Sequence, residues 1–512
     1  MRTHTICLAL AIALMCPVAS GQWVQQGNKL VGMGAAGSAN QGCSVSLSSD
    51  GNTAIVGGRG DSSSAGAAWV FTRSGGVWSQ LGSKLVGTNA VGIANQGISV
   101  SLSADGNTAI VGGSGDSSGV GAAWVFIRNG GVWSQQGNKL VGTGAVDSAE
   151  QGSSVALSAD GNTAIVGGSG DSSSVGAAWV FIRVGGVWSQ QGVKLVGAGA
   201  VGYAQRFAQQ GCSVSLSADG NTAIVGGNGD DDYAGAAWVF TRTGGVWSQQ
   251  GSKLVGTGTG ISGGANQGRS VALSADGNTA LVGGPFDNFA INDAGAVWVF
   301  TRTNGAWSQQ GNKLVGIGRI GRTLQGISVG VSGDGNIALV GGYADHSGAG
   351  ASWVFTRTNG VWTQQGSKLF GAGAVEIAYQ GHSVAISADG NTIIVGGDND
   401  NFGVGAAWVF TQSGTSIHEE TANVPSQFVL EQNFPNPFNP STTIRYGLPQ
   451  RSQVTLTVYN PLGQSVSTLV NGEEEAGYHE VKFDGSRLSS GVYFYRIQAR
   501  SFVETRKLIY LR

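Results

Sequence analysis

The 512-residue chain is poor in charge: Asp, Glu, Lys and Arg make up 11% of it and the net charge is −2. It carries no polybasic tract, which argues against nucleic acid or an anionic membrane as a partner. Histidine is scarce, at five residues. His4 and His418 fall in a leader and a linker, and His346, His382 and His479 stand alone in the sequence. Neither a metal-ligand spacing nor a nucleophile–base set is written in the residue order, so no metal or other cofactor is expected and catalysis has no direct support. Long apolar runs are missing too. Ile6 to Met15 is too short to span a bilayer comfortably, and no other segment comes closer.

Cysteine and proline are also sparse, with four and eight residues. Two of the cysteines lie in the first 21 residues, a stretch with the marks of a secretory signal peptide. Arg2 gives it a positive start, a short apolar core follows, and the small residues of Val18-Ala-Ser-Gly21 offer a cleavage site. Cys43 and Cys212 remain. They occupy the same place in distant copies of a repeat, too far apart to bond, and read as two small buried side chains.

Glycine is plentiful instead, at 89 residues, beside 14 tryptophans. With no collagen period, that mixture indicates an all-β repeat protein full of tight turns. One stretch, Gln210-Gly-Cys-Ser-Val-Ser-Leu-Ser-Ala-Asp-Gly-Asn-Thr-Ala-Ile-Val-Gly-Gly227, occurs seven times with small edits. Its aspartate falls at Asp50, Asp105, Asp160, Asp219, Asp276, Asp334 and Asp389, in steps of 55, 55, 59, 57, 58 and 55 residues. A second constant block follows each copy, as in Ala236-Ala-Trp-Val-Phe-Thr-Arg242. Regular self-similarity of this length indicates a solenoid, an array or a propeller.

Each repeat reads as four strands. Ser-Val-Ser-Leu-Ser alternates at the strand period, Asp-Gly-Asn makes a hairpin, and Thr-Ala-Ile-Val returns. Ala-Ala-Trp-Val-Phe-Thr-Arg is the third strand, and a Gly-Gly hairpin leads to the fourth, Val-Trp-Ser-Gln-Gln-Gly-x-Lys-Leu-Val-Gly. A turn at Ser74-Gly75 would set Trp78 opposite Phe71, and one at Gly75-Gly76 would set it opposite Arg73. Either register makes the tryptophan sheet cement. The fourth strand carries a lysine in every copy (Lys29, Lys84, Lys139, Lys194, Lys253, Lys313, Lys368), which reads as protection of an exposed edge. The seventh copy stops at Gln412 without a fourth strand, while Gln22-Trp-Val-Gln-Gln-Gly-Asn-Lys-Leu-Val-Gly32 is a fourth strand without a blade. The expected fold is therefore a seven-bladed β-propeller over 22–412, closed by its N-terminal strand.

The repeat resembles the FG-GAP family, whose propeller repeats also occur in integrin α-subunits. The likeness rests on Gly-x-Ser-Val-x-Leu-Ser-x-Asp-Gly-Asn-Thr-Ala-Ile-Val-Gly followed by Gly-Ala-x-Trp-Val-Phe. Gln-Gly stands where Phe-Gly is expected, and Gly-Gly where Gly-Ala-Pro is expected. The calcium-binding members carry an aspartate-rich loop that here has shrunk to Ser-Ala-Asp-Gly-Asn, so calcium is not carried over.

Strand order puts the constant hairpins on one face and all the variable loops on the other, where specificity belongs. The first three copies have bland loops such as Gly-Asp-Ser-Ser-Ser, and the later copies gain character. The candidate ligand-binding residues are Tyr203, Arg206 and Phe207; Asp231, Asp232 and Tyr233; Phe286, Asp287 and Phe289; Arg319 and Arg322; Asp345 and His346; and Asp398, Asp400 and Phe402. Arg59-Gly-Asp61 spells an integrin-recognition tripeptide, but Gly-Asp recurs at this place in other copies, so chance accounts for it.

Composition changes after Gln412. Residues 413–427 form a polar linker, and 428–512 hold 16 charged residues and five of the eight prolines. Val454 to Tyr459, Glu480 to Phe483, Gly491 to Ile497 and Thr505 to Tyr510 alternate as strands of a small immunoglobulin-like β-sandwich. This segment resembles the type A C-terminal sorting domain of type IX (Por) secretion. The likeness is carried by Asn433-Phe-Pro-Asn-Pro-Phe-Asn-Pro-Ser-Thr-Thr443, Val458-Tyr-Asn-Pro-Leu-Gly-Gln464, Leu488-Ser-Ser-Gly-Val-Tyr-Phe-Tyr495 and Lys507-Leu508. It implies export, with the type IX translocon as the partner of residues 428–512. The expectation is an exported bacterial propeller, secreted or at the cell surface and monomeric, that binds a protein or glycan through its loop face. The alternatives are a glycan-active enzyme working at the channel and a purely structural surface protein.

Overall fold

The computed structural model describes residues 22–202, 207–259, 264–288, 294–412, 427–433, 436–486 and 488–511. The leader, residues 413–426 of the linker, and the candidates Tyr203, Arg206 and Phe289 lie outside the described residues. The chain divides into two compact units, Met1–Gly414 and Thr415–Arg512.

The first unit is a seven-bladed propeller of four-stranded antiparallel sheets. Blade one is typical, with strands Gln41–Leu47, Thr53–Gly58, Ala67–Ser74 and Val77–Gln80 in sequential order. In blade seven, Ser383–Ile386, Thr392–Gly397 and Ala406–Gln412 take Trp23–Gln25 as their outer strand, with Trp23 opposite Gln412. The first strands of successive blades touch one another all the way round, so they line the axis and the fourth strands form the rim.

A closed circle of backbone hydrogen bonds joins the hairpins between first and second strands. Ser49 donates to Ala104, Ala104 to Ala159, Ala159 to Ala218, Ala218 to Ala275, Ala275 to Gly333, Gly333 to Ala388 and Ala388 back to Ser49, at 2.9–3.1 Å. Within each hairpin the aspartate organises the turn. Asp105 accepts from the Ser103 hydroxyl and from the backbone and side-chain amides of Asn107. Burial works against the Asp105 charge, yet those bonds, with Arg128 nearby, hold its carboxyl below the usual range.

The core is tryptophan-centred. Trp69, Trp124, Trp179, Trp238, Trp298, Trp353 and Trp408 are fully buried in the third strands. Each indole N–H reaches a backbone carbonyl, as Trp69 does at Met33 O (2.9 Å). Close packing explains the glycines around them. A Cβ on Gly32 would lie 2.1 Å from the Trp69 ring, and one on Gly57 would lie 2.1 Å from the Gly97 carbonyl of the next blade. The Gly-Gly in place of Gly-Ala-Pro is thus a close approach between blades.

The glutamine in place of phenylalanine is equally structural. Gln151 Oε1 accepts from Gly142 N–H (2.6 Å) and its Nε2 donates to Gly142 O (3.1 Å), and all seven copies repeat this two-bonded clamp. The second hairpin turns at Gly75-Gly76, where φ is 55° and 79°, as a two-residue turn of the primed kind requires. That register places Arg73 opposite Trp78, with the guanidinium 5.4 Å from the ring centroid. Arg73 also bonds to Asn52, Gln26 and Thr392, tying blade one to blade seven.

The second unit is a two-sheet sandwich. One sheet holds Val429–Leu430, Ser441–Leu448 and Gly477–Asp484; the other holds Ser465–Glu474, Ser452–Tyr459, Gly491–Ala499 and Phe502–Tyr510. Leu430, Phe438, Ile444, Leu456, Val458, Tyr495 and Leu508 build its core. The Asn-Pro-rich segment is bonded into it. Asn433 N–H donates to the Tyr495 hydroxyl (2.8 Å), which donates to Glu431 O (2.6 Å), and Asn436 Oδ1 accepts from Ile509 N–H (2.8 Å).

Candidate functional site

Between second and third strands, six blades make the same short turn, in which two consecutive non-glycine residues take left-handed backbone angles. They are Ser62 and Ser63, Ser117 and Ser118, Ser172 and Ser173, Asp231 and Asp232, His346 and Ser347, and Asn401 and Phe402, with φ of 48–59°. Such angles cost on the order of 1–2 kcal/mol per residue unless the surroundings hold them. The aspartate before each pair does the holding. In blade three, Asp171 Oδ1 accepts from Val146 N–H (2.8 Å) and Oδ2 pairs with Lys194 at 2.5 Å.

Every blade has this pair: Asp61–Lys84, Asp116–Lys139, Asp171–Lys194, Asp230–Lys253, Asp287–Lys313, Asp345–Lys368 and Asp400–Lys29. The carboxylates are about 1% exposed and the lysines about a fifth. Two expectations are corrected here. The repeated lysines are internal ties between loop and rim, not guards of an exposed edge. Asp287, Asp345 and Asp400 are buried partners of those lysines, and their carboxylates do not face a ligand. The Asp400–Lys29 pair also fastens the N-terminal strand to the last blade.

Other candidates do face outward. Asp231, Asp232, Arg319, Arg322 and His346 are exposed, Phe402 is 73% exposed, and Phe207, Tyr233 and Phe286 are half-buried. They are spread over the loops of blades four to seven, and one of them, His346, lines a concavity. His346 joins Ile320, Phe370 and Glu376 around a cleft of about 320 Å³ at blade six.

A second gathering sits at the axis on the loop face, and it centres on Asp398. The residue after Gln-Gly begins the first strand, and the residue after Gly-Gly ends the second. The register sets these two places side by side, as Ser383 opposite Gly396 shows in blade seven. In that blade they are His382 and Asp398. Asp398 Oδ1 lies 3.8 Å from His382 Nδ1, and Oδ2 lies 3.7 Å from Arg59 of blade one. Neither distance is a hydrogen bond. Asp398 Oδ1 and His382 Nδ1 are both buried with no hydrogen-bond partner, although the Asp398 side chain is only 8% exposed. Tyr343 stands edge-on to His382, with ring centroids 5.6 Å apart, and Tyr379 packs on Tyr343 at 5.4 Å. Burial raises the Cys212 value against the charge of Arg269 in blade five, and the same charge adds to the burial that lowers the His382 value.

Cys43, His382 and Asp398 converge here as a nucleophile, base and orienting acid would, but the thiol is misdirected. Its Sγ donates to Gly97 O at 3.2 Å, and burial pushes the thiol up to about 11. A thiol held protonated is no nucleophile. Burial also lowers the His382 value, against the pull of Asp398. Both cysteines are free. Among the described residues no three His, Cys, Asp or Glu side chains gather as a metal cage.

The loops alone did not point to this axial group. The signal that would have found it is a pair of columns inside the constant blocks. After Gln-Gly stand Cys43, Ile98, Ser153, Cys212, Arg269, Ile327 and His382; after Gly-Gly stand Arg59, Ser114, Ser169, Asn228, Pro285, Tyr343 and Asp398. Everything around these columns repeats, while they themselves change in charge and size.

Residues 432–511 match the family described as the secretion system C-terminal sorting domain. No curated protein sequence matches the chain. Among solved structures, the propeller resembles the periplasmic gluconolactonase of Pseudomonas aeruginosa at 17% identity and TM-score 0.44, covering 84% of this chain and 98% of that one. The GH74 xyloglucanase of Xanthomonas campestris is similar at 14% identity and TM-score 0.44, over 83% and 59% of the two chains. PorZ, a surface component of the type IX secretion system of Porphyromonas gingivalis, is similar at 12% identity and TM-score 0.38, over 92% and 60%. Likenesses this distant say nothing about activity.

Proposed function

We propose that this is a recognition module, delivered to the cell surface or released by its sorting tail, that holds a protein or glycan on the loop face of its propeller. The sorting-domain match implies a secreted or surface protein. The observation that carries the recognition reading is the contrast between backbone and side chain in the loops. Six blades impose the same costly left-handed turn, buttressed by the same Asp–Lys pair, yet display serine, aspartate, histidine or phenylalanine from it. A rigid frame presenting varied side chains at fixed directions is what preorganised binding requires. The likeness of the repeat to FG-GAP propellers agrees with such a role.

Hydrolysis of a glycan has less behind it. It calls for two carboxyl groups flanking one bond, whereas the axial mouth offers Asp398 beside a histidine and two arginines. The test is an array of glycans and surface proteins probed with the full chain and with a variant carrying Asp231→Ala, Asp232→Ala, His346→Ala and Phe402→Ala. Binding that weakens in the variant supports the loop rim as the contact surface. Failure of the full chain to bind any ligand on the array contradicts the recognition reading.

A further inference from the structure

The axial mouth contains a chemical mismatch that the fold alone does not need. Asp398 is 8% exposed, its Oδ1 has no donor, and the nearest candidate, His382 Nδ1, is itself unpartnered at 3.8 Å. A buried acceptor left this way is destabilising. A serine there, as at Ser114 and Ser169, would avoid that cost. Beside this pair stands Arg59, 43% exposed and 3.7 Å from Asp398, and the charge of the exposed Arg269 in blade five acts on His382. Tyr343 lies edge-on against His382, with ring centroids 5.6 Å apart.

We propose that this mouth binds a uronic acid, free or as a residue of an acidic glycan. This rests on the recognition reading above and deepens it. Each group has one demand that such a sugar meets. Arg59 and Arg269 present planar, always-charged donor forks suited to a carboxylate. Asp398 Oδ1 takes a hydrogen bond from a ring hydroxyl. The burial that lowers the His382 value favours the neutral imidazole, which exchanges a hydrogen bond with a second hydroxyl. Tyr343 supplies an apolar ring surface for the C–H face of the sugar. A plain inorganic anion would use the arginines but leave Asp398 Oδ1 unpaired and repelled. A neutral sugar would satisfy Asp398 but leave the arginines idle. One ligand carrying both carboxylate and hydroxyls uses all of them.

Calorimetric titration of the full chain with tetragalacturonate, galacturonate and cellotetraose tests the assignment. Tetragalacturonate should bind at least tenfold more tightly than cellotetraose. Arg269→Gln and Asp398→Ala should each weaken tetragalacturonate binding at least tenfold, while Val184→Ala, exposed on the opposite hairpin face, leaves it unchanged. Arg269 is exposed, so its variant reports on binding even if Asp398→Ala folds poorly. Tighter binding of the tetramer than of galacturonate assigns the site to a glycan; equal binding assigns it to the free acid. Equal affinity for tetragalacturonate and cellotetraose, or no loss in Arg269→Gln, overturns the proposal. Loss in Phe402→Ala with retention in Arg269→Gln overturns the axial site while keeping the loop face as the recognition surface. No tetragalacturonate binding at all overturns the uronate assignment, and the array result then decides the broader reading separately.

Discussion

On the hairpin face, every blade offers its neighbour the same backbone N–H and carbonyl, and seven such bonds close a circle from Ser49 through Ala388 and back. On the loop face the backbone repeats almost as faithfully, but the side chains do not. Asp231, His346 and Phe402 occupy one turn position or its neighbour, and Arg269, His382 and Cys43 occupy one axial column. The first face has nothing to distinguish one blade from another, so its constancy serves closure. The second spends its constancy on anchors, the Asp–Lys pairs and glutamine clamps, and leaves the positions between them open to change. Stability lives in what repeats, and recognition in what does not.

That division can be broken at its strongest point first. Trp238→Ala removes a fully buried side chain from the repeated core. It should cost about 4 kcal/mol in denaturant unfolding of the propeller; a loss below about 1 kcal/mol would mean that the blades do not depend on these tryptophans. Next comes the loop anchor. Lys194→Met strands the Asp171 carboxylate, which is 1% exposed, and should cost about 3 kcal/mol. The double variant Asp171→Leu/Lys194→Met should recover part of that loss, and a double-mutant cycle with no coupling would deny the pair its role. Gln151→Ala leaves Gly142 N–H and O without their partners and should cost about 2 kcal/mol, read from the same unfolding curves.

The smallest effect concerns acid. In six hairpins the aspartate is pulled below its usual range: burial opposes the shift, and hydrogen bonds from the neighbouring serine and asparagine outweigh it. A depressed carboxylate contributes stability that is fully present above its unfolded value, about 3.9, and is lost as pH falls through the lower folded value. Asp105→Asn/Asp160→Asn/Asp219→Asn should therefore lower stability near neutrality and shrink the further drop below about pH 4. An unchanged acid profile would assign the drop to other groups.

Much of this was legible in the sequence because symmetry amplifies it. Seven copies, an orphan strand at one end and a missing one at the other implied the ring and its closure, and the structure places Trp23–Gln25 beside Ala406–Gln412. The motifs around Asn433 and Tyr495 likewise marked the sorting tail, now matched over 432–511. What failed was the reading of charge. Asp287, Asp345 and Asp400 stand in colourful loops, but each repeats the plain aspartate of Gly-Asp-Ser-Ser, and a constant lysine answers it in every copy. His382, taken as isolated, acquires neighbours only in the fold, Asp398 from its own blade and Tyr343 from blade six. Residues 59 and 398 are far apart in sequence, and only closure of the ring brings them to one place.

The most direct measurement gives the axis the serine that other copies already carry there. In the variant Arg59→Ser/Arg269→Ser/Tyr343→Ser/His382→Ser/Asp398→Ser, thermal unfolding and tetragalacturonate binding would be followed side by side. The account predicts an unfolding temperature within a few degrees of the parent, since no repeated contact is touched, together with at least a tenfold loss of binding. A collapse in stability would show these residues to be part of the frame, and binding that persists would place recognition elsewhere. Either result would contradict the division between what repeats and what varies.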